Sequence, residues 1–174
     1  MTDTPNDNQK GVSLPKAHYQ NTRGKPFRLV PGDLIKLAEA RQFDVIGHGC
    51  NCQHRMGAGI AKSLAKRFPL IREADAATPF GERGKLGTYS KAHIAELDLT
   101  ILNIYSQFDT SGPLPRVDYG AIELAARSIA AEFPGKRLGL PMIGAGLAGG
   151  DWLIIKEILG RELEAVDLTV VVYP

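Results

Sequence analysis

The chain has 174 residues, 44% apolar and 23% charged, which is ample for one domain with a sizeable core and short for two. Its formal net charge of +2 belongs to residues 1–25, where Lys10, Lys16, Arg23 and Lys25 outnumber Asp3 and Asp7; the remainder carries 17 basic and 17 acidic side chains, which excludes a broad nucleic-acid-binding face. No apolar run nears the ~20 residues that cross a bilayer, and no apolar signal core opens the chain, so a cytoplasmic protein, expected to be a monomer, is the reading.

Residues 1–25 hold only five apolar side chains, Met1, Val12, Leu14, Ala17 and Tyr19, too few to bury. They read as a flexible tail with a docking point near Tyr19, and residues 26–174 as the domain. Phe27 to Pro31 predicts a first strand. After Gly32, Asp33 is placed to cap a helix that carries Leu34, Leu37 and Ala38 on one face. Asp44 to His48 predicts a second strand, apolar at its centre and buried on both faces. Out of it come Gly49, Cys50, Asn51, Cys52, Gln53, His54, Arg55, Met56, Gly57, Ala58 and Gly59, then a helix with Ile60, Leu64 and Phe68 spaced by four. In an extended segment Cys50 and Cys52 would share a face with Cα atoms roughly 7 Å apart, at the limit for a disulfide. Two thiols without a partner pair do not make a zinc site. No metal is expected, and both cysteines read as reduced and structural.

Pro69 ends that helix, and Ile71 to Lys85 yields no assignment. Leu86 to Ala92 and Leu99 to Tyr105 predict two antiparallel strands joined across Ala95-Glu96. Phe108 to Pro115 is a loop placed to flank a ligand. Ile122, Ala126, Ile129 and Phe133 form the stripe of a helix packed on a sheet, stopped by Pro134-Gly135. Arg137 to Met142 predicts a strand, Ile155, Ile158 and Leu159 mark a last helix opening at Asp151, and Leu168 to Tyr173 closes the chain as a strand. About six strands and four or five helices, mostly alternating, predict a three-layer α/β/α domain on a mixed sheet.

Between Met142 and Asp151, four glycines fall within seven positions, Gly144, Gly146, Gly149 and Gly150. The first three satisfy G-x-G-x-x-G, but a dinucleotide fold expects a further strand about 20 residues on that ends in an acidic ribose ligand. Here one helix and one strand remain, and Asp167 precedes that strand. Two readings stay open: a phosphate-binding loop at a helix start, or a tight turn that packs a helix on a sheet. The Met56 to Ile60 segment repeats the strand, glycine loop, helix pattern. Two such loops at one sheet edge could grip a diphosphate from both sides.

Gly32-Asp33-Leu34 after the first strand, Asn51 after the second, the loop Met56-Gly57-Ala58-Gly59-Ile60-Ala61, and Pro141-Met142-Ile143-Gly144-Ala145-Gly146-Leu147 together resemble a macrodomain, in order and at fitting spacing, from about Phe27 to the C-terminus. His48-Gly49-Cys50-Asn51-Cys52 and the Gly-Gly-Asp-Trp ending at Trp152 resemble the branch of ADP-ribose 1″-phosphate phosphatases and bacterial or phage macrodomains, a relative of which is the terminal ADP-ribose protein glycohydrolase. The resemblance implies that ADP-ribose or an ADP-ribosylated substrate is the partner, with no cofactor. It implies that Asp33 reads the adenine amino group, with Leu34 beside it and Tyr173 against the ring. Met56, Gly57, Ala58, Gly59 and Ile60 would form one diphosphate loop, and Ile143, Gly144, Ala145, Gly146 and Leu147 the other. Asn51 would meet the distal ribose, and His48 or Asp151 would serve as general base. Each has a plainer alternative: Asp33 and Asp151 as N-caps, Tyr173 as a rim residue, Asn51 as a turn brace, His48 as a hydrogen-bonded core residue. His54 reads as solvated. Where the glycohydrolase has a nucleophilic lysine this chain has Ser106 and Gln107, and where that enzyme has an acidic residue after Gly-Leu it has Ala148, so a lysine adduct is not implied. The expected activity is hydrolysis of ADP-ribose 1″-phosphate, an ADP-ribosyl ester or a nucleic-acid adduct; the other reading is a non-catalytic ADP-ribose reader or NAD-metabolite sensor.

Overall fold

The computed structural model describes residues 18–20 and 26–174. The strands are β1 (His18–Gln20), β2 (Pro26–Pro31), β3 (Val45–Asn51), β4 (Tyr89–Ile94), β5 (Leu99–Gln107), β6 (Arg137–Leu140) and β7 (Asp167–Val172). The helices are α1 (Leu34–Glu39), α2 (Gly59–Arg67), α3 (Leu70–Ala76), α4 (Tyr119–Glu132) and α5 (Trp152–Glu162), with single 3-10 turns at Arg83–Lys85 and Ala95–Leu97.

All seven strands join one sheet in the order β1-β2-β7-β6-β3-β5-β4. The five central strands are parallel, while β1 and β4 pair antiparallel at the two edges. The sheet is therefore mixed, as the sequence predicts, with one strand more than the six expected. The additional strand is β1, whose register sets Tyr19 opposite Phe27. It falls inside the segment read as a tail; the rest of that segment lies outside the described residues.

Alternation along the strands fixes the layers. On one face Leu102, Ile104, Leu138, Leu140, Leu168 and Val170 pack with Ile122, Ile129, Ile155 and Leu159 of α4 and α5. On the other, Ile46, Ile101, Tyr105 and Val171 pack with Leu34, Leu37, Leu64 and Ile71 of the first three helices. The result is α/β/α. β3 runs through to Asn51, three residues past the predicted end, paired with β5 as far as Gln107; within it a Cβ on Gly47 would come within 2.8 Å of Ile104 Cδ1 and 2.9 Å of Leu140 Cδ2, so only glycine fits there. The unassigned stretch after Pro69 contains α3, which lies against β4.

Because five neighbouring strands point the same way, the loops leaving their carboxyl ends gather at one edge of the sheet. That edge is where α/β folds bind ligands.

Candidate functional site

A cleft of about 820 Å³ opens there, and the ends of β3, β5 and β6 and both glycine loops line it. Ten of the predicted residues meet in it: Asn51, Met56, Gly57, Ala58, Gly59 and Ile60 on one side, Ile143, Gly144, Gly146 and Leu147 on the other. The two loops touch at their tips, since Leu147 Cδ1 lies 3.1 Å from the position of a Cβ on Gly59.

The first loop leads into a helix start that no side chain caps. α2 begins at Gly59 behind Ala58, with no side-chain cap and no acidic residue in its first turn. By contrast, α1, α4 and α5 are capped by Asp33, Asp118 and Asp151. An uncapped helix start leaves its first N–H groups and the positive end of its dipole to whatever enters the cleft, and favours a negatively charged guest.

The second loop combines both readings of its glycines. Gly144 (φ +74°) and Gly149 (φ +69°) hold left-handed turns, and a Cβ on Gly144 would come within 2.7 Å of Val117 Cγ2. Those two serve the turn. Gly146 has nothing within 4 Å of an added Cβ, so its backbone faces open space. The amides of Gly149 and Gly150 close the turn onto the Gly146 and Gly144 carbonyls at 2.9 and 2.8 Å.

Among the described residues, the charged side chains lining the cleft are three arginines, Arg55, Arg72 and Arg116, which sequence reasoning missed. Arg72, from α3, donates to the Met56 carbonyl behind the first loop at 3.3 Å. Arg116 donates to the Leu147 carbonyl of the second loop and, at 3.3 Å, to that of Gly112. Arg55 is at the rim, bonded to Asp109 and Thr110 at 3.4 and 3.1 Å. Nothing in the local sequence marks Arg72 and Arg116, since both are brought in by helix and loop packing from distant segments.

Several expectations are corrected. His48 is completely buried in the sheet, on the α2–α3 face, and does not line the cleft. Its Nε2 is 2.8 Å from Asn103 Oδ1, while Asn103 Nδ2 donates to the Ile71 carbonyl and to Ser90 Oγ. The asparagine oxygen can only accept, so His48 carries its proton on Nε2. Burial lowers its pKa and keeps it neutral. Asp151 likewise lies outside the cleft: it caps α5, accepting from the Leu153 N–H at 2.8 Å. Leu34 is part of the core on the α1–α3 face and Ala145 packs against the core on the α4–α5 face, because the chain at each point turns the side chain inward.

Asp33 and Tyr173 do not line the cleft either. They stand at the carboxyl ends of the adjacent strands β2 and β7, joined by the Gly32 N–H to Val172 carbonyl bond of 2.9 Å. Asp33 Oδ1 accepts from Ile35 and Lys36 at 2.9 and 3.3 Å. Tyr173 is 76% exposed. Asn51 does line the cleft, but its amide is occupied: Oδ1 accepts from the Gln53 and Arg55 N–H groups and Nδ2 donates to the Arg55 carbonyl. One amide hydrogen remains to meet a ligand.

His54 is not simply solvated; its ring packs edge-on against Phe80, with Nε2 3.2 Å from Thr78 Oγ1. Cys50 and Cys52 are free thiols, both buried. Among the described residues no group of three or more His, Cys, Asp or Glu could hold a metal ion, and no helix is long and apolar enough to cross a membrane.

A parallel-centred α/β/α sandwich with two glycine loops over its carboxyl edge is the macrodomain fold. The macrodomain of Thermus aquaticus DarG superposes with a TM-score of 0.67 at 22% identity, over 85% of this chain and 97% of that one. Thermosipho africanus DarTG, solved in complex with ADP-ribose, superposes at 0.69 and 18% identity over 92% of this chain and 44% of that one. No protein-family model matches the sequence. An uncharacterized 17.5 kDa protein from the tk-vs intergenic region of enterobacteria phage T4 is 35% identical over 153 residues, which are 83% of this chain and 94% of the phage protein. The chain belongs to the family of that phage protein.

Proposed function

We propose that the cleft binds ADP-ribose. The observation that carries this reading is the pairing of an uncapped helix start with an open glycine loop across a cleft whose charged lining is entirely arginine. The diphosphate would lie between Gly57–Ile60 and Gly144–Leu147. Adenine would extend toward the free oxygen of Asp33 and the ring of Tyr173, and the distal ribose toward Asn51 and Gln107. From β2 to β5 is four inter-strand steps, about 19 Å, enough for two nucleoside-sized ends around a diphosphate. The macrodomain fold shared with a protein solved with ADP-ribose supports the same assignment.

Hydrolysis of an ADP-ribose derivative needs an oriented water and a proton acceptor within reach. Among the described residues no carboxylate or imidazole lines the cleft. This observation favours a reader of ADP-ribose over an enzyme with its own general base.

Calorimetric titration with ADP-ribose tests the binding reading, with Gly146→Glu alongside to place a carboxylate in the open loop. Saturable heat in the wild type that is lost in the variant supports it; no heat at millimolar ligand removes it. Incubation with ADP-ribose 1″-phosphate then separates the two readings. Intact ligand supports a reader, and phosphate release an enzyme.

A further inference from the structure

His54 has a φ of +53°, one of three non-glycine residues with positive φ among the described residues. A left-handed histidine is uncommon and strained, so its surroundings must hold it there. It sits at the entry to the first glycine loop, between Asn51, whose amide clasps Arg55, and Met56.

The side chain does the holding. Its ring is largely buried and packs edge-on against Phe80, with centroids 5.5 Å apart. Thr78 Oγ1 gives its single hydrogen to the Asp75 carbonyl at 2.6 Å, so toward His54 it accepts, and Nε2 donates across 3.2 Å. Beneath the ring lies a buried charged floor. Asp75 Oδ1, 3.8 Å from Nε2, takes the Tyr105 hydroxyl at 2.8 Å and faces the Lys85 ammonium at 3.7 Å. Lys85 Nζ has no hydrogen-bond partner among the described residues and stands 4.3 Å from the Tyr105 ring centroid, so its charge serves to fix the carboxylate. Burial raises the Tyr105 phenol above its ordinary pKa of 10, which keeps it a donor.

The chain on either side of His54 is tied to the same region. The Gly81 N–H donates to the Cys52 carbonyl at 2.8 Å, and Arg72 of α3 to the Met56 carbonyl at 3.3 Å. His54 is thus the middle of three attachments between residues 52–56 and the α3 side of the sheet. Neither it nor Asp75, Thr78, Phe80 or Lys85 lines the cleft.

We infer that His54 is a positioning residue for the first glycine loop: its ring, docked on Thr78 and Phe80 above Asp75, holds the left-handed turn that aims the start of α2 into the cleft. The inference rests on the ADP-ribose reading only for what that loop grips.

The test compares wild type with His54→Gly and His54→Gln in the full chain. Glycine adopts the left-handed turn freely but has no ring to dock; glutamine keeps a side-chain donor for Thr78. In calorimetric titration ADP-ribose should bind His54→Gly about tenfold more weakly than wild type, the equivalent of one hydrogen bond, and His54→Gln should recover most of that loss. Hydrogen exchange of the ligand-free chain reads the same geometry. The Arg55 and Lys62 amides, bonded to Asn51 Oδ1 and the Ala58 carbonyl, should exchange about tenfold faster in His54→Gly, while the Ile122 amide of α4, bonded to the Asp118 carbonyl, keeps its rate. Wild-type affinity in His54→Gly overturns the inference, as does an equal loss in His54→Gln, or an Ile122 amide that speeds up with the others, the mark of general destabilisation. If the wild type fails to bind ADP-ribose, the function proposed above falls alone. The exchange rates then decide the positioning role: faster Arg55 and Lys62 amides beside an unchanged Ile122 support it, and unchanged rates throughout overturn it.

Discussion

Asn51 and Arg55 clasp each other at both ends of one amide: Nδ2 donates to the Arg55 carbonyl at 2.7 Å and Oδ1 accepts from the Arg55 N–H at 3.2 Å. The clasp closes the turn that leads from β3 into the first glycine loop, so the mouth of that loop is set by the protein before any ligand arrives.

Asn51→Ala removes the clasp and the bond from Gln53, leaving part-buried backbone groups of Gln53 and Arg55 unpaired. It should lower unfolding free energy by about 1 kcal/mol and weaken ADP-ribose as the loop loosens. Asn51→Asp keeps the acceptors but adds negative charge at the cleft, so its main loss should be in binding. Urea unfolding beside calorimetry resolves the two. An alanine variant of unaltered stability would remove the brace.

Gly144 and Gly146, two positions apart, should respond in opposite ways. Gly146→Glu adds a side chain into open space and should melt within a few degrees of wild type while losing ADP-ribose. Gly144→Ala forces a Cβ against Val117 at positive φ, and should cost about 1–3 kcal/mol from overpacking plus the left-handed penalty. Thermal melts of both proteins check this; comparable destabilisation by the two changes would contradict it.

Asp151→Ala should cost about 1 kcal/mol, the usual value of an N-cap, and leave ADP-ribose affinity unchanged. Asp151→Ser should recover most of the stability. A drop in affinity with stability intact would return Asp151 to the site.

His48 gives the protein a pH dependence of definite sign. Burial holds its native pKa below the ordinary 6.5, so the unfolded chain takes up a proton that the native chain refuses. Stability from this group is complete above pH 6.5 and falls as pH drops below it, by up to about 1.4 kcal/mol per pH unit. The carboxylates of Asp44, Glu132 and Glu162 are held low, chiefly by hydrogen bonds from Arg137, Lys91 and Arg127, so their contributions fade only nearer pH 4. Urea midpoints between pH 7 and 5 should therefore slope in the wild type and flatten in His48→Gln. Equal slopes would show that the native His48 pKa is not depressed.

Much of the fold was legible because periodicity and punctuation agree in this chain. The stripe through Ile122, Ala126, Ile129 and Phe133 gives α4, Asp33 caps α1 as its position predicts, and the β4–β5 pair is antiparallel. α3 was not legible, since Leu70–Ala76 is held by tertiary anchors, among them the Asn103 bond to the Ile71 carbonyl and the Tyr105 hydroxyl on Asp75. The glycine loops announce themselves by composition. Arg72 and Arg116 do not, because their long side chains reach the cleft from a helix and a loop far from the glycine loops in sequence. His48 and Asp151 misled for one reason: proximity in sequence to a glycine loop says nothing about which face of a strand, or which side of a helix start, a side chain takes.

The three-residue strand His18–Gln20 covers the outer edge of β2. Remove it and the outer backbone groups of Pro26–Arg28, the residues it pairs, become a naked pairing template beside Leu29 and Val30. A chain begun at Pro26 would keep every residue of the cleft, yet it would offer a neighbouring molecule the flank of a longer strand to extend.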